Sequence, residues 1–372
     1  MSADGRHSPL QRLSALGQSV WIDYLSREIV RSGHLAQLIE QDAVVGVTSN
    51  PTIFEHAMAA GESYDEALSA LARAGAGTEE IFWSMAREDV ADACDILRPV
   101  HQRSSGRDGY VSIEVDPGLA YETLATYRAA LTLHEQIDRE NLLVKIPATK
   151  PGLAAIEDVI AKGRSINVTL IFSLQRYAEV AESYIRGLER LVAAGGDPAR
   201  VHSVASFFVS RIDTETDRRL DEVGGHDELK GRLAIANAKL AYQHFKEVFA
   251  GERWEYLAGK GATPQRVLWA STSTKSPAYS DILYVEELIG PETVNTMPEE
   301  TLLAYQDHGE PQLRLESGLE EARALFEELA AVGVDYDDVT ATLEREGVAK
   351  FADSFAKLLK TLEEKATALS AA

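Results

Sequence analysis

Lys145 stands alone in the apolar run Leu142-Leu143-Val144-Lys145-Ile146-Pro147-Ala148. A charged amine inside a buried strand is costly, so it must be paired, neutral or chemically used. An ordinary lysine amine, pKa about 10.4, is neutral only about once in 2,500 molecules at pH 7. Schiff-base attack on a carbonyl requires the neutral amine with its free lone pair, and a low-dielectric wall such as Leu143 and Phe208 is the surrounding expected to favour that form. The alternative is a structural lysine bridged to a carboxylate, with Glu114 as the candidate partner.

Short β-branched runs hold this lysine and its neighbours in place. Eight occur: Val20–Tyr24, Val44–Ser49, Tyr110–Val115, Leu142–Ile146, Ile166–Ile171, Val204–Val209, Arg266–Ser271 and Thr293–Met297. Amphipathic stretches such as Ala120–Gln136 and Leu174–Ala193 separate them. Strands alternating with helices predict a parallel sheet, and eight units in about 280 residues predict a closed (β/α)8 TIM barrel, an α/β fold. Residues 51–103 exceed a minimal barrel and read as two helices after the second strand. The chain otherwise reads as one domain, 1–372, with a C-terminal helical extension from about residue 315 packed on the barrel. Within it Val348, Phe351, Phe355, Leu358 and Leu362 form an apolar stripe at helical spacing, suited to the barrel exterior or to a homodimer contact.

Strand alternation then sorts the side chains, one parity towards the helices and the other towards the lumen. Val111, Ile113 and Val115 face out, so Ser112 and Glu114 face in. The same count aims Leu143 and Lys145, Asn167 and Thr169, Asp23, Thr48 and Asn50, and Ser206 and Phe208 inward. On the seventh strand it selects Trp269, Ser271 and Ser273. Seven of the eight strands thus send a polar group into one lumen. Barrel interiors are normally bulky and aliphatic, and polar groups at strand ends mark the active mouth. Single members have plainer readings. Asn50-Pro51 fits a helix N-cap, Asp23 fits a cap as well, and Arg211 fits an ion pair with Asp213.

The chain has 59 acidic against 37 basic residues, a net charge of −22. That makes nucleic acid and anionic membrane poor partners, while screening over about 8 Å lets a local basic pocket hold a phosphorylated metabolite. No apolar run approaches the roughly 18 residues of a membrane span, and residues 1–9 lack the apolar core of a signal peptide. Cys94 is the single cysteine, which excludes an internal disulfide and suits a reducing compartment, the cytoplasm.

Five ordered blocks resemble the transaldolases, in particular their longer bacterial type: Gly46-Val47-Thr48-Ser49-Asn50-Pro51-Thr52, Val111-Ser112-Ile113-Glu114-Val115-Asp116, Val144-Lys145-Ile146-Pro147-Ala148-Thr149, Ile166-Asn167-Val168-Thr169-Leu170-Ile171-Phe172-Ser173 and Ser206-Phe207-Phe208-Val209-Ser210-Arg211-Ile212-Asp213. The resemblance implies that Lys145 forms the Schiff base with a ketose phosphate and that Asp23 takes the C4 hydroxyl proton. It implies that Glu114 and Thr169 hold a proton-shuttling water, and that Asn50, Asn167 and Ser206 hold the hydroxyls of a dihydroxyacetone unit. Arg211 is the implied phosphate ligand. Around Ala270-Ser271-Thr272-Ser273-Thr274-Lys275 the chain departs from the shorter members. Ser271 matches their phosphate-site serine, and Lys275 stands in for their arginine.

The implied reaction moves a dihydroxyacetone unit from sedoheptulose 7-phosphate or fructose 6-phosphate to glyceraldehyde 3-phosphate or erythrose 4-phosphate, in the non-oxidative pentose phosphate pathway. No cofactor or metal is implied, because the iminium is the electrophile. The related fructose 6-phosphate aldolases look different at two positions, typically Gln where Glu114 stands and Tyr where Phe208 stands.

Overall fold

A computed structural model describes residues 7–59 and 62–371. Eight strands form a closed parallel barrel in sequential order: β1 (Gln18–Ile22), β2 (Val44–Val47), β3 (Tyr110–Glu114), β4 (Leu142–Pro147), β5 (Ile166–Ile171), β6 (Ser203–Phe208), β7 (Arg266–Ala270) and β8 (Thr293–Met297). Every neighbouring pair is parallel, and β1 closes on β8 through the register Trp21↔Thr296. The expected fold class is therefore the observed one.

Helices start immediately after several strands, which fixes the strand ends. Thr149 caps Lys150–Ala161 by accepting from the Gly152 amide, with a proline in the first turn. Ser173 caps Leu174–Ala193 by accepting from the Arg176 amide. Helix Thr123–Ile137 starts slightly later than its expected pattern, and Leu174–Ala193 matches its own. Among the described residues between β2 and β3 there are three helices rather than two: Pro51–Ala59, Asp65–Arg73 and Thr78–Arg103. The first two are too short to separate by periodicity alone.

The lower lumen is closed by a buried polar plug. Arg266, from the start of β7, reaches Asp108 at 3.0 Å and donates to Ser19 Oγ at 2.8 Å. Asp108 also accepts from Ser19 Oγ at 2.9 Å and from Trp21 Nε1 at 3.3 Å. Above this plug Trp21, Leu143, Leu268 and Val294 are fully buried. Gly46 makes room for the indole, since a Cβ there would lie 2.4 Å from Trp21 Cδ2.

The last two helices are Leu319–Ala331 and Tyr336–Ala371. The apolar stripe Val348, Phe351, Phe355, Leu358 and Leu362 is buried within the chain's own fold, so it is not left as a contact for a second copy. Phe355 stacks edge-on against Phe82 at 5.2 Å, and Thr52 Oγ1 shares a hydrogen bond with Ser354 Oγ at 2.9 Å. Lys357 pairs with Glu55 at 2.6 Å. The final helix also contacts helix Ser210–Val223 and β5, so it lies along the C-terminal end of the barrel. Among the described residues no helix is long and apolar enough to cross a membrane.

Candidate active site

Glu114, Lys145 and Asn167 occupy one layer, because β3, β4 and β5 pair them in register. Lys145 is buried, its Nζ donating to the Ser49 carbonyl at 3.1 Å and lying 3.6 Å from Glu114 Oε2. Burial pushes the Glu114 carboxyl up to about 7, against the opposing pull of the Lys145 charge; Asp23 pushes it further in the same upward direction. Neither Glu114 oxygen nor Thr169 Oγ1 has a hydrogen-bond partner among the described residues. Buried polar atoms are normally satisfied, so those of Glu114 and Thr169 beside the amine have capacity for a bound water or substrate hydroxyl.

Asp23 follows β1 and faces the same cavity. Thr48 Oγ1 donates to its Oδ1 at 2.5 Å and shares a 2.7 Å hydrogen bond with Thr296 Oγ1. Loss of hydration raises the Asp23 pKa, while Lys145, the Thr48 hydroxyl and Arg211 pull it back. The capping alternative for Asp23 does not hold, because Ser26 caps the next helix by accepting from the Ile29 amide.

A hydrogen-bond chain crosses the lumen beside the amine. Ser206 Oγ donates to Asn167 Oδ1 at 2.7 Å, and Asn167 Nδ2 donates to Ser112 Oγ at 3.1 Å. Asn50 both caps and lines the site: its Oδ1 accepts from the Ile53 amide at 3.0 Å, and its side chain borders the cavity.

That cavity, about 140 Å3, opens at the C-terminal ends of the strands, the catalytic end of barrels generally. It gathers Asp23, Asn50, Lys145, Ser206, Phe208, Arg211, Ser271 and Lys275. Glu114, Asn167 and Thr169 lie around it through the contacts just described. Arg211 makes no ion pair with Asp213, which instead accepts from the Ala234 amide and the Tyr284 hydroxyl. The Arg211 guanidinium lies 5.1 Å from the Phe208 ring centre. Ser271 Oγ shares a 2.8 Å hydrogen bond with Ser210 Oγ, and Lys275 Nζ donates to Ser273 Oγ at 2.5 Å.

One parity assignment needs correction. Trp269 faces outward, stacking edge-on with Phe207 and donating its Nε1 to the Leu288 carbonyl. The inward residues of β7 are Arg266, Leu268 and Ala270, set by the pairs Ser206↔Leu268 and Phe208↔Ala270. Ser271 and Ser273 still reach the cavity because Ser271, at φ 58°, breaks the alternation.

Thr48, Thr296 and Phe351 also border the cavity and were not among the expected site residues. Thr48 was legible as an inward residue beside Asn50. Thr296 was not, since polar residues occupy both parities of Thr293-Val294-Asn295-Thr296-Met297.

Fold and cavity together define the class: a (β/α)8 barrel enzyme with a lysine on its fourth strand, facing the carboxyls of the first and third. The sequence profile described as transaldolase/fructose-6-phosphate aldolase matches residues 20–362. Similar proteins named transaldolase include one from Saccharopolyspora erythraea, 52% identical over 96% of this chain and 98% of its own. One from Parafrankia is 53% identical over 96% and 97%, and one from Mycobacterium bovis 51% identical over 94% and 95%. The chain belongs to the transaldolase/fructose-6-phosphate aldolase family.

Proposed function

We propose that the chain is a transaldolase, a transferase that moves a dihydroxyacetone unit from sedoheptulose 7-phosphate or fructose 6-phosphate to glyceraldehyde 3-phosphate or erythrose 4-phosphate in the non-oxidative pentose phosphate pathway. The observation that carries the mechanism is a buried amine 3.6 Å from a carboxyl whose oxygens are otherwise unpartnered. The near-full-length similarity to proteins named transaldolase supports the reaction.

In this reading the neutral Lys145 amine attacks the ketone carbon C2. The carbinolamine then loses water to give a protonated imine. Glu114, with a pKa near neutrality, and Thr169 hold the water that carries these protons. Asp23 takes the proton of the C4 hydroxyl, the C3–C4 bond breaks, and its electrons flow into the iminium to form an enamine. The aldose phosphate leaves. The enamine carbon C3 then attacks the acceptor aldehyde, Asp23 returns its proton to the new hydroxyl, and water hydrolyses the imine. Asn50, Asn167 and Ser206 hold the hydroxyls of the three-carbon unit. Arg211 at the first turn of helix Ser210–Val223, with Ser271 and Lys275, binds the phosphate. The iminium serves as electron sink, so the reading invokes no cofactor or metal.

The lyase alternative releases the enamine as free dihydroxyacetone. Glu114 and Phe208, where aldolases of that kind typically carry Gln and Tyr, favour transfer. We read the chain as one barrel domain of the cytoplasm, with its final helices as part of that domain.

The deciding experiment follows glyceraldehyde 3-phosphate release from fructose 6-phosphate with and without erythrose 4-phosphate. Release that depends on the acceptor supports transfer. Release without it, accompanied by free dihydroxyacetone, identifies a lyase instead.

A further inference from the structure

Arg211 and Lys275 bring two positive charges to the cavity mouth from β6 and β7. A third, Lys350, stands on the turn of the final helix that faces Arg211, its side chain on the adjoining open groove with Glu346 and Asp353. The helix residues Gly347, Lys350 and Phe351 fall within about one turn, and Gly347 and Phe351 lie near Arg211. A Cβ on Gly347 would lie 3.6 Å from Arg211 Nη1 and 3.0 Å from Leu170 Cδ2, so the helix approaches the guanidinium where it has no side chain. The Phe351 ring centre is 5.8 Å from Arg211 Cζ, and the Phe208 ring centre 5.1 Å from it. Both rings lie within cation–π range of this guanidinium.

Among the described residues none of Arg211, Lys275 and Lys350 forms a salt bridge; Lys275 meets only the Ser273 hydroxyl. Glu346, beside Gly347, is close enough to act on Arg211 but forms no ion pair with any of the three. The three charges also sense one another. The Lys350 ammonium is held below the usual lysine range, first by the Arg211 charge, then by partial burial, then by Lys275. Mutual repulsion of this kind is relieved by an anion seated between the cations.

We propose that Lys350 is a further substrate-binding residue, the third cation of the phosphate site, so that the final helix sets the preference for phosphorylated sugars. This rests on the reading of the cavity as a sugar-phosphate site. Donor and acceptor carry their phosphate at the end away from the reacting carbonyl, so one cation cluster serves both halves of the reaction. Lys350 is exposed and can be replaced without disturbing a core.

The test titrates the wild-type protein and its Lys350→Ala, Lys350→Arg and Arg211→Ala variants with inorganic phosphate by calorimetry. It then measures KM and kcat with fructose 6-phosphate and erythrose 4-phosphate. Loss of one charge-assisted contact is expected to raise the Kd for phosphate and the KM for fructose 6-phosphate roughly tenfold or more in Lys350→Ala. kcat should fall far less, and Lys350→Arg should recover most of the loss. A phosphate Kd within twofold of wild type in Lys350→Ala overturns the proposal, even if acceptor-dependent turnover is present. Weakened phosphate binding sustains it, even if turnover proves to be that of a lyase.

Discussion

Glu114 and Lys145 hold paired positions on adjacent strands, with a carboxyl oxygen 3.6 Å from the amine nitrogen. That separation is beyond an ordinary hydrogen bond, and the amine donates to the Ser49 carbonyl instead. The carboxyl is near enough to feel the amine and far enough to serve another partner. A tight, fully hydrogen-bonded pair would have supported the structural reading of Lys145; this looser one favours the chemical reading.

The Glu114 carboxyl is pushed up to about 7, so its ionised fraction grows as pH rises through neutrality. Exchange of the ketone oxygen of fructose 6-phosphate with labelled water should rise across the same interval in the wild type. Glu114→Gln should slow it by about 10²–10⁴-fold and flatten the rising limb. A limb that persists unchanged in the Gln variant would assign the titration to another group.

Asp23 accepts from Thr48 and shares the cavity with Lys145, which places it to act on bond cleavage rather than on imine formation. Asp23→Ala should lower turnover by about 10²–10⁴-fold. Borohydride in the presence of fructose 6-phosphate should still fix the sugar to Lys145 in that variant, and should fail to do so in Lys145→Ala. Normal turnover of Asp23→Ala would refute its role as the base.

Gly46→Ala tests the lumen packing. The new methyl would meet the Trp21 indole at 2.4 Å, and the indole cannot shift without loosening its bond to Asp108. We expect a loss of roughly 1–3 kcal/mol, read as a lower denaturant midpoint with an altered Trp fluorescence spectrum. An unchanged midpoint would show that the lower lumen has slack.

Asp213 titrates out of sight of the cavity. Burial pushes its carboxyl up to about 7, against the stabilising bonds from the Ala234 amide and the Tyr284 hydroxyl. The folded protein therefore binds this proton more tightly than the unfolded chain does. Its contribution to stability is full below about pH 4 and is lost as pH rises through about 7. Asp213→Asn removes the ionisation, so the Tm of the variant relative to wild type should increase between pH 5 and pH 8. A constant difference would mean that Asp213 is ionised throughout.

The barrel was readable because alternation is a local property. Ile166–Leu170 alternates apolar and polar, and its inward pair, Asn167 and Thr169, followed from counting. The same count failed on Val267-Leu268-Trp269-Ala270, where every residue is apolar and nothing marks the phase. The left-handed backbone at Ser271 then hid the error by returning the serines to the cavity. Leu170, at φ 61°, marks a similar irregularity in β5 that its residue type does not announce. The final helix was legible as a helix with an apolar stripe. Its place at the cavity mouth was not, because periodicity says which face a helix buries and not which neighbour receives it.

The plug of Arg266, Asp108 and Ser19 has a kinetic consequence. It leaves the mouth at the C-terminal strand ends as the way to Lys145 for both aldehydes. Read with the transferase chemistry, in which the first aldose departs and leaves a covalent enamine before the acceptor is attacked, this makes the protein a two-stroke device. Reciprocal rate plots taken at several fixed acceptor concentrations should then give parallel lines, and the first aldose released should compete with the acceptor for the loaded enzyme.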